Sequence, residues 1–155
     1  MVVLLAVFAM AAVTRATAER HADAQRRADR AIANTALYQQ AISSAYDEWV
    51  MVTGYFVTGD PTYIERFRAS RRTVDDALGQ LVDDARQHEP DKAVQLDEYM
   101  STHKRFSSAE EQVIDSIVSG DFSRAISTAV DTDLTVDSAA FLADLKTEID
   151  GQQER

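Results

Sequence analysis

The sequence predicts an all-α protein, an antiparallel up-down-up-down four-helix bundle with long first and last helices. Three observations predict it. Only five glycines and two prolines occur in 155 residues, while alanine is abundant, so strong helix formers run long between breakers. Apolar residues recur every three or four positions through most of the chain. Three short punctuation marks cut that pattern into four segments, and connections so short make consecutive helices antiparallel neighbours.

The first helix is expected over about 21–58, with Ala28, Ile32, Thr35, Tyr38, Ile42, Ala45, Trp49, Val52 and Phe56 on one stripe. Gly59-Asp60-Pro61 ends it: Gly59 permits positive φ, Asp60 N-caps the next helix, and Pro61 presets φ for its first turn. The second helix, 61–88, buries Ile64, Phe67, Val74, Leu78, Leu81 and Ala85, with Arg71 discordant on that stripe. His88-Glu89-Pro90-Asp91 is the second turn. The third helix, 90–119, carries Ala93, Leu96, Met100, His103, Phe106, Val113 and Ile117, and Glu110 breaks the stripe. Gly120-Asp121 pairs a C′ glycine with an N-capping aspartate. The fourth segment, 121–155, shows Phe122, Ala125, Ile126 and Ala129, then Leu134, Phe141, Leu145 and Ile149. The weak helix formers of 131–135 predict a break between those two groups.

Met1 to Val13 contains no charged or polar side chain, yet a full membrane span needs about 20 residues. It reads as the later part of a transmembrane helix, residues 1–20, leading into an extracytoplasmic domain, residues 21–155. The alternative is a signal h-region cleaved at Ala16-Thr17-Ala18. The first reading is preferred because the helical pattern continues unbroken through residues 14–30. Arg15, Arg20, Arg26, Arg27 and Arg30 follow the apolar run, so the positive-inside rule leaves orientation open. Helices two and three rise roughly 42 Å each, which leaves residues 1–29 to project beyond a matched bundle. Start and end of the chain then share one pole, as in a domain hung from a membrane.

The formal net charge of −10 excludes nucleic acid as the expected partner, since phosphate binding needs a positive stripe. Without cysteine there is no disulfide, thiolate metal site or thiol nucleophile. His21, His88 and His103 are far apart, and none falls in a paired zinc motif. His103 reads as a satisfied core histidine. Asp131, Asp133 and Asp137 lack the glycine of a calcium loop, and Leu142 stands where its bidentate glutamate belongs. No enzymatic chemistry, cofactor or metal is expected. Arg66, Arg68, Arg71 and Arg72 cluster on helix two and suit a small carboxylate ligand. The simpler reading is a solvated face paired with Glu65, Asp75 and Asp76. Tyr46, Trp49 and Tyr55 are assigned to core or dimer packing and not to an aromatic cage, and alanine-rich faces on helix one suit a homodimer.

The segment Gly54-Tyr55-Phe56-Val57-Thr58-Gly59-Asp60-Pro61-Thr62-Tyr63-Ile64 resembles the Gly-Tyr-Leu-Leu-Thr-Gly-Asp-Pro-x-Tyr-Leu segment of CHASE-type extracellular sensory bundles. It is also similar to segments in the four-helix-bundle ligand-binding domains of methyl-accepting chemotaxis receptors. Ser119-Gly120-Asp121-Phe122 with Ala125 resembles the turn such bundles place before helix four. Thr53 stands where the family often has arginine, and Trp49-Val50-Met51 replaces its earlier Glu-Thr-Gly. The resemblance implies a sensory input domain of a bacterial transmembrane protein, feeding a histidine kinase, a diguanylate cyclase or phosphodiesterase, or a chemoreceptor output. The expected partners are the membrane through the first helix, a second copy, and a small anionic ligand or periplasmic protein. A ligand-free dimerisation spacer and a secreted helical binding protein are the rival readings. The hinge residues Gly54, Gly59, Asp60, Pro61, Gly120 and Asp121 are read as architecture.

Overall fold

The computed structural model describes residues 2–132 and 134–153, excepting the side chains of residues 2–14, 16, 134–138 and 152–153. The apolar side chains of Met1–Val13, Asp133 and Asp137 of the rejected calcium pattern, Leu134 of the fourth stripe and the chain end at Arg155 lie outside the described set. Among the described residues the chain is all-helical, with five helices and no strand. These are α1 (Val2–Thr58), α2 (Thr62–His88), α3 (Pro90–Val118), α4 (Phe122–Asp131) and α5 (Leu134–Gln153). The interruption between α4 and α5 falls in the stretch of weak helix formers at 131–135. No described helix is long and apolar enough to cross a membrane.

The chain forms two compact units, Met1–Asn34 and Thr35–Arg155, a division later than the residue 20–21 boundary expected from the apolar run. In the first unit residues 17–29 are all exposed. Its polar groups bond along their own helix: Arg15 Nε to Glu19 at 2.9 Å, Gln25 to Asp29 at 2.9 Å, and Arg26 to Asp23. Exposed pairs at these spacings contribute only tenths of a kcal/mol each, so they tune the helix and do not make it.

The second unit holds the core. Its main cluster joins Tyr38, Ala41 and Ala45 of α1 to Val74, Leu78 and Leu81 of α2, Leu96 and Phe106 of α3, Ala125 of α4, and Phe141 and Leu145 of α5. A second cluster packs Met51, Val52 and Tyr55 with Phe67 and Ile114. Helix α3 packs against α2, α4 and α5. The stripes expected on α2 and α3 are the buried ones, and Arg71, the discordant member of α2, is only partly exposed.

Helix α1 departs from the expected stripe. Ile32, Trp49 and Phe56 are 70%, 40% and 55% exposed, while Tyr38, Ala41, Ala45, Glu48, Val52 and Tyr55 are buried. Ala45 and Val52 are buried as expected, but Ala41, Glu48 and Tyr55 take the inside places expected for Ile42, Trp49 and Phe56, a rotation of one position at alternate turns. The physical reason is polar: the rotation brings Glu48 inside, where it finds hydrogen-bond partners. Phe122 and Ile126 of α4 are likewise exposed, at 55% and 59%, because Ala125 is the residue that α4 sinks into the core.

Both glycine turns take left-handed backbone, Gly59 at φ +67° and Gly120 at φ +80°. Pro61 already has helical angles, so Asp60 is the physical N-cap of α2, and its Oδ1 accepts the Thr62 N–H at 2.9 Å. That backbone donor holds the Asp60 carboxyl below its ordinary value. At the other turn Asp121 N–H reaches Ser116 O at 2.8 Å and Gly120 N–H reaches Ile117 O at 3.0 Å, the two bonds of a Schellman motif. Asp121 Oδ1 then accepts the Arg124 N–H at 3.0 Å and caps α4. Between His88 and Pro90, Glu89 is the single linking residue, and its N–H bonds to Ala85 O at 2.7 Å.

Gly54 has a different reason to be glycine. A Cβ there would come within 2.6 Å of Tyr63 Cδ1, inside the van der Waals envelope of the ring. The ring of Tyr63 on α2 thus packs directly on the α1 backbone at Gly54. Gly54→Ala is expected to destabilise the fold by about 1–3 kcal/mol through overpacking. Gly54→Ala combined with Tyr63→Leu should lose less than the two single losses added together. Urea melts of the three variants measure this, and strictly additive losses would remove the steric explanation.

Candidate functional site

Four helices of the second unit send side chains to one buried polar centre. His103 of α3 is fully buried, and carboxylates face both of its ring nitrogens. Nε2 lies 2.9 Å from Glu48 Oε1 of α1, and Nδ1 lies 3.1 Å from Asp75 Oδ1 of α2. An imidazolium satisfies this arrangement by donating twice. Ser107, one turn along α3, donates to Glu48 Oε2 at 3.1 Å. Glu48 is itself fully buried, so its two oxygens depend on these partners. The imidazole ring is fixed by aromatics. Phe141 of α5 stacks on it at 5.6 Å between centroids, and Phe106 meets it edge-on at 5.0 Å.

Those two phenylalanines also help to line a half-open cavity of about 420 Å³. Ala45, Tyr46 and Trp49 of α1, Phe106 and Glu110 of α3, and Ala139, Phe141, Leu142, Ala143 and Lys146 of α5 line it. The walls are mostly apolar, with one carboxyl set among them. Cavities of this size and character take small organic molecules. Glu110 is 2% exposed, and its Oε2 has no hydrogen-bond partner among the described residues. Burial, with repulsion from Glu48, pushes its carboxyl up to about 8, against a smaller opposing pull from Arg71. Glu110 is therefore mostly protonated at neutral pH.

The expected arginine site is not assembled as one pocket. Arg68 and Arg71 both turn to Glu111 of α3, Arg68 Nε at 2.8 Å and Arg71 Nη1 at 3.3 Å. Arg66 and Arg72 stay exposed on the surface of α2. The partners are not the expected Glu65, Asp75 and Asp76, because Asp75 is taken by His103 and Glu111 lies across the helix interface. Gly59, Asp60, Pro61, Gly120 and Asp121 sit at the two glycine turns, Gly54 lies in the last turns of α1, and none of these six lines the cavity.

Sequence reading missed Glu48 altogether and noted Glu110 only as a break in a stripe. The signal for both was present. Tyr38, Ala41, Ala45, Val52 and Tyr55 advance by threes and fours, and Glu48 fills the gap in that series. His103 and Glu110 are polar members of the α3 stripe. Polar residues at core register on facing helices point to an internal network. Trp49, a larger apolar residue beside Glu48, drew the stripe away from it. Among the described residues no group of three acidic or histidine side chains is disposed to hold a metal ion. No protein-family model, curated protein or solved structure matches the chain.

Proposed function

We propose that the chain is the extracytoplasmic input domain of a membrane-anchored signalling protein, built as an antiparallel up-down-up-down four-helix bundle that binds a small molecule. The observation that carries this reading is the cavity walled by α1, α3 and α5, with Glu110 buried in its wall. Cross-helix partners support the antiparallel order. Later residues of α2 meet earlier residues of α3, in the pairs Arg68 with Glu111, Asp75 with His103 and Arg86 with Asp97. Lys92 with Glu148 and Phe106 with Phe141 run the same way between α3 and α5. The membrane setting rests on the apolar run Met1–Val13, and the signalling role on the resemblance of the Gly54–Ile64 segment.

In such a domain the first and last helices carry the signal. A ligand lodged between α1 and α5 changes output only by favouring one packing of those helices over another. The position of the cavity suits that requirement, since Tyr46 and Trp49 stand on α1 and Leu142 and Lys146 on α5. Val50, Phe56 and Val57 of α1 are exposed apolar residues, and they favour association with a second copy.

The test is a thermal-shift screen of the 155-residue chain in detergent micelles against small amines, acids and neutral aromatics. At least one compound is expected to raise the melting temperature, and Trp49→Ala is expected to abolish that rise. A compound present at 100 times its dissociation constant stabilises by about 2.7 kcal/mol, well within detection. A screen with no hit would favour the rival reading, a dimerisation spacer without ligand.

A further inference from the structure

Among the described residues, the ionisable groups around the buried polar centre form two sets of three, with one acid left over. Glu48 and Asp75 face His103, and Glu111 holds Arg68 and Arg71. Three acids thus stand with three bases. Glu110, whose carboxyl feels both Glu48 and Arg71, is the fourth acid and has no ion-pair partner among the described residues. Its Oε2 is buried without a partner, and it borders a cavity that also presents the rings of Tyr46 and Trp49. A carboxyl beside aromatic side chains in a mostly apolar, half-open cleft suits an organic cation, through charge at one end and ring contacts beside it. Lys146, the basic residue of this lining, is exposed on α5, so its long stem can keep its ammonium in water. The net charge of −10 adds a general attraction for cations approaching the surface.

We infer that the cavity binds a small amphipathic amine or quaternary ammonium, with Glu110 as the counter-ion of its cationic head. This rests on the proposed reading of the cavity as a ligand site. The binding step balances as an exchange of charge. The protonated Glu110 carboxyl loses its proton to solvent, and the resulting carboxylate pairs with the incoming cation. Each cation bound at neutral pH should release close to one proton, because Glu110 is mostly protonated beforehand. The charged groups facing Glu110 are Glu48 from α1, Arg71 from α2 and Lys146 from α5. Glu48 favours the entering cation, while Arg71 and Lys146 oppose it.

Isothermal titration of the full chain with phenethylamine, benzyl alcohol and phenylacetate separates the outcomes. Phenyltrimethylammonium serves as a cation that cannot donate a hydrogen bond. The two cations are expected to bind, with an apparent enthalpy that changes with the ionisation enthalpy of the buffer and so reports the released proton. Glu110→Gln should weaken them by about tenfold or more and remove the buffer dependence, while its circular dichroism stays helical. Binding of the alcohol or the acid in place of the amines, lost in Trp49→Ala, would overturn the cation inference and leave the cavity reading standing. Cation binding that Glu110→Gln leaves unchanged would also overturn it. Failure of all four compounds to bind would count against the cavity as a site for small aromatic ligands of any charge.

Discussion

Replacing His103 by leucine is expected to destabilise the fold by about 3–5 kcal/mol, the largest single loss anticipated in this chain. The substitution removes the only partner that Glu48 Oε1 is shown to have, and leaves that carboxylate 0% exposed. Asp75 suffers less, because its side chain is 34% exposed and can turn to water. The leucine also loses the ring that stacks on Phe141, although its aliphatic bulk fills much of the same space. A second variant isolates the electrostatic part. Glu48→Met with His103→Leu removes both polar partners and should recover most of the loss, since an apolar pair of similar volume often matches a buried polar pair. Urea denaturation followed by circular dichroism reads both variants against the wild type. A double variant as unstable as His103→Leu alone would show that packing, not an orphaned charge, sets the cost.

Glu110→Gln should change how stability depends on pH. Glu110 is raised in the folded chain to about 8, against an ordinary value of 4.5. Below about 4.5 the carboxyl is protonated in both folded and unfolded chains and favours neither. Between the two values the folded chain keeps the proton that the unfolded chain has lost. The folded state binds more protons there, so stability falls as pH rises, by up to about 1.4 kcal/mol per pH unit. Above about 8 both states are ionised and the decline from this group stops, after a total of a few kcal/mol. Glutamine cannot ionise, so the variant escapes the decline while carrying whatever constant cost its buried amide brings. The stability difference, variant minus wild type, is therefore expected to grow from about pH 4.5 to 8. At about 2–4 °C per kcal/mol for a chain of this size, the full difference amounts to roughly 10–20 °C in melting temperature. A difference independent of pH would mean that Glu110 is ionised in the folded chain.

The two variants probe different halves of one device. His103 packs on Phe106 and Phe141, and those same rings form the wall of the cavity beside Glu110. Any molecule that shifts Phe141 therefore presses on the ring that holds Glu48 of α1. In the proposed sensor this is the direct route from α5 to α1 through the interior, with the polar network as the element that keeps their packing in register.

Much of the architecture was legible along the chain because its causes are local. Gly59, Gly120 and the caps at Asp60 and Asp121 act over a few residues, through φ, orphan N–H groups and short turns. The stripes of α2 and α3 were legible because their apolar residues follow the helical repeat closely. The interruption near 131–135 was legible from helix propensity alone. The arginine cluster was visible as composition, but its partner Glu111 lies 43 residues from Arg68, beyond any helical spacing.

What the sequence determined by itself is the all-helical character, where each helix stops, and which glycines and aspartates make the turns, since backbone conformation and capping are decided within one or two turns of chain. Only the tertiary structure decided which face of α1 is inside. Burying Trp49 would bring in more apolar area than burying Glu48, and local periodicity favours the tryptophan. Glu48 is inside because His103 and Ser107, 55 and 59 residues away, supply the hydrogen bonds that offset its desolvation. The same choice puts Trp49 and Tyr46 in the lining of the cavity that Glu110 borders. The candidate site exists through long-range polar pairing that no window of sequence contains.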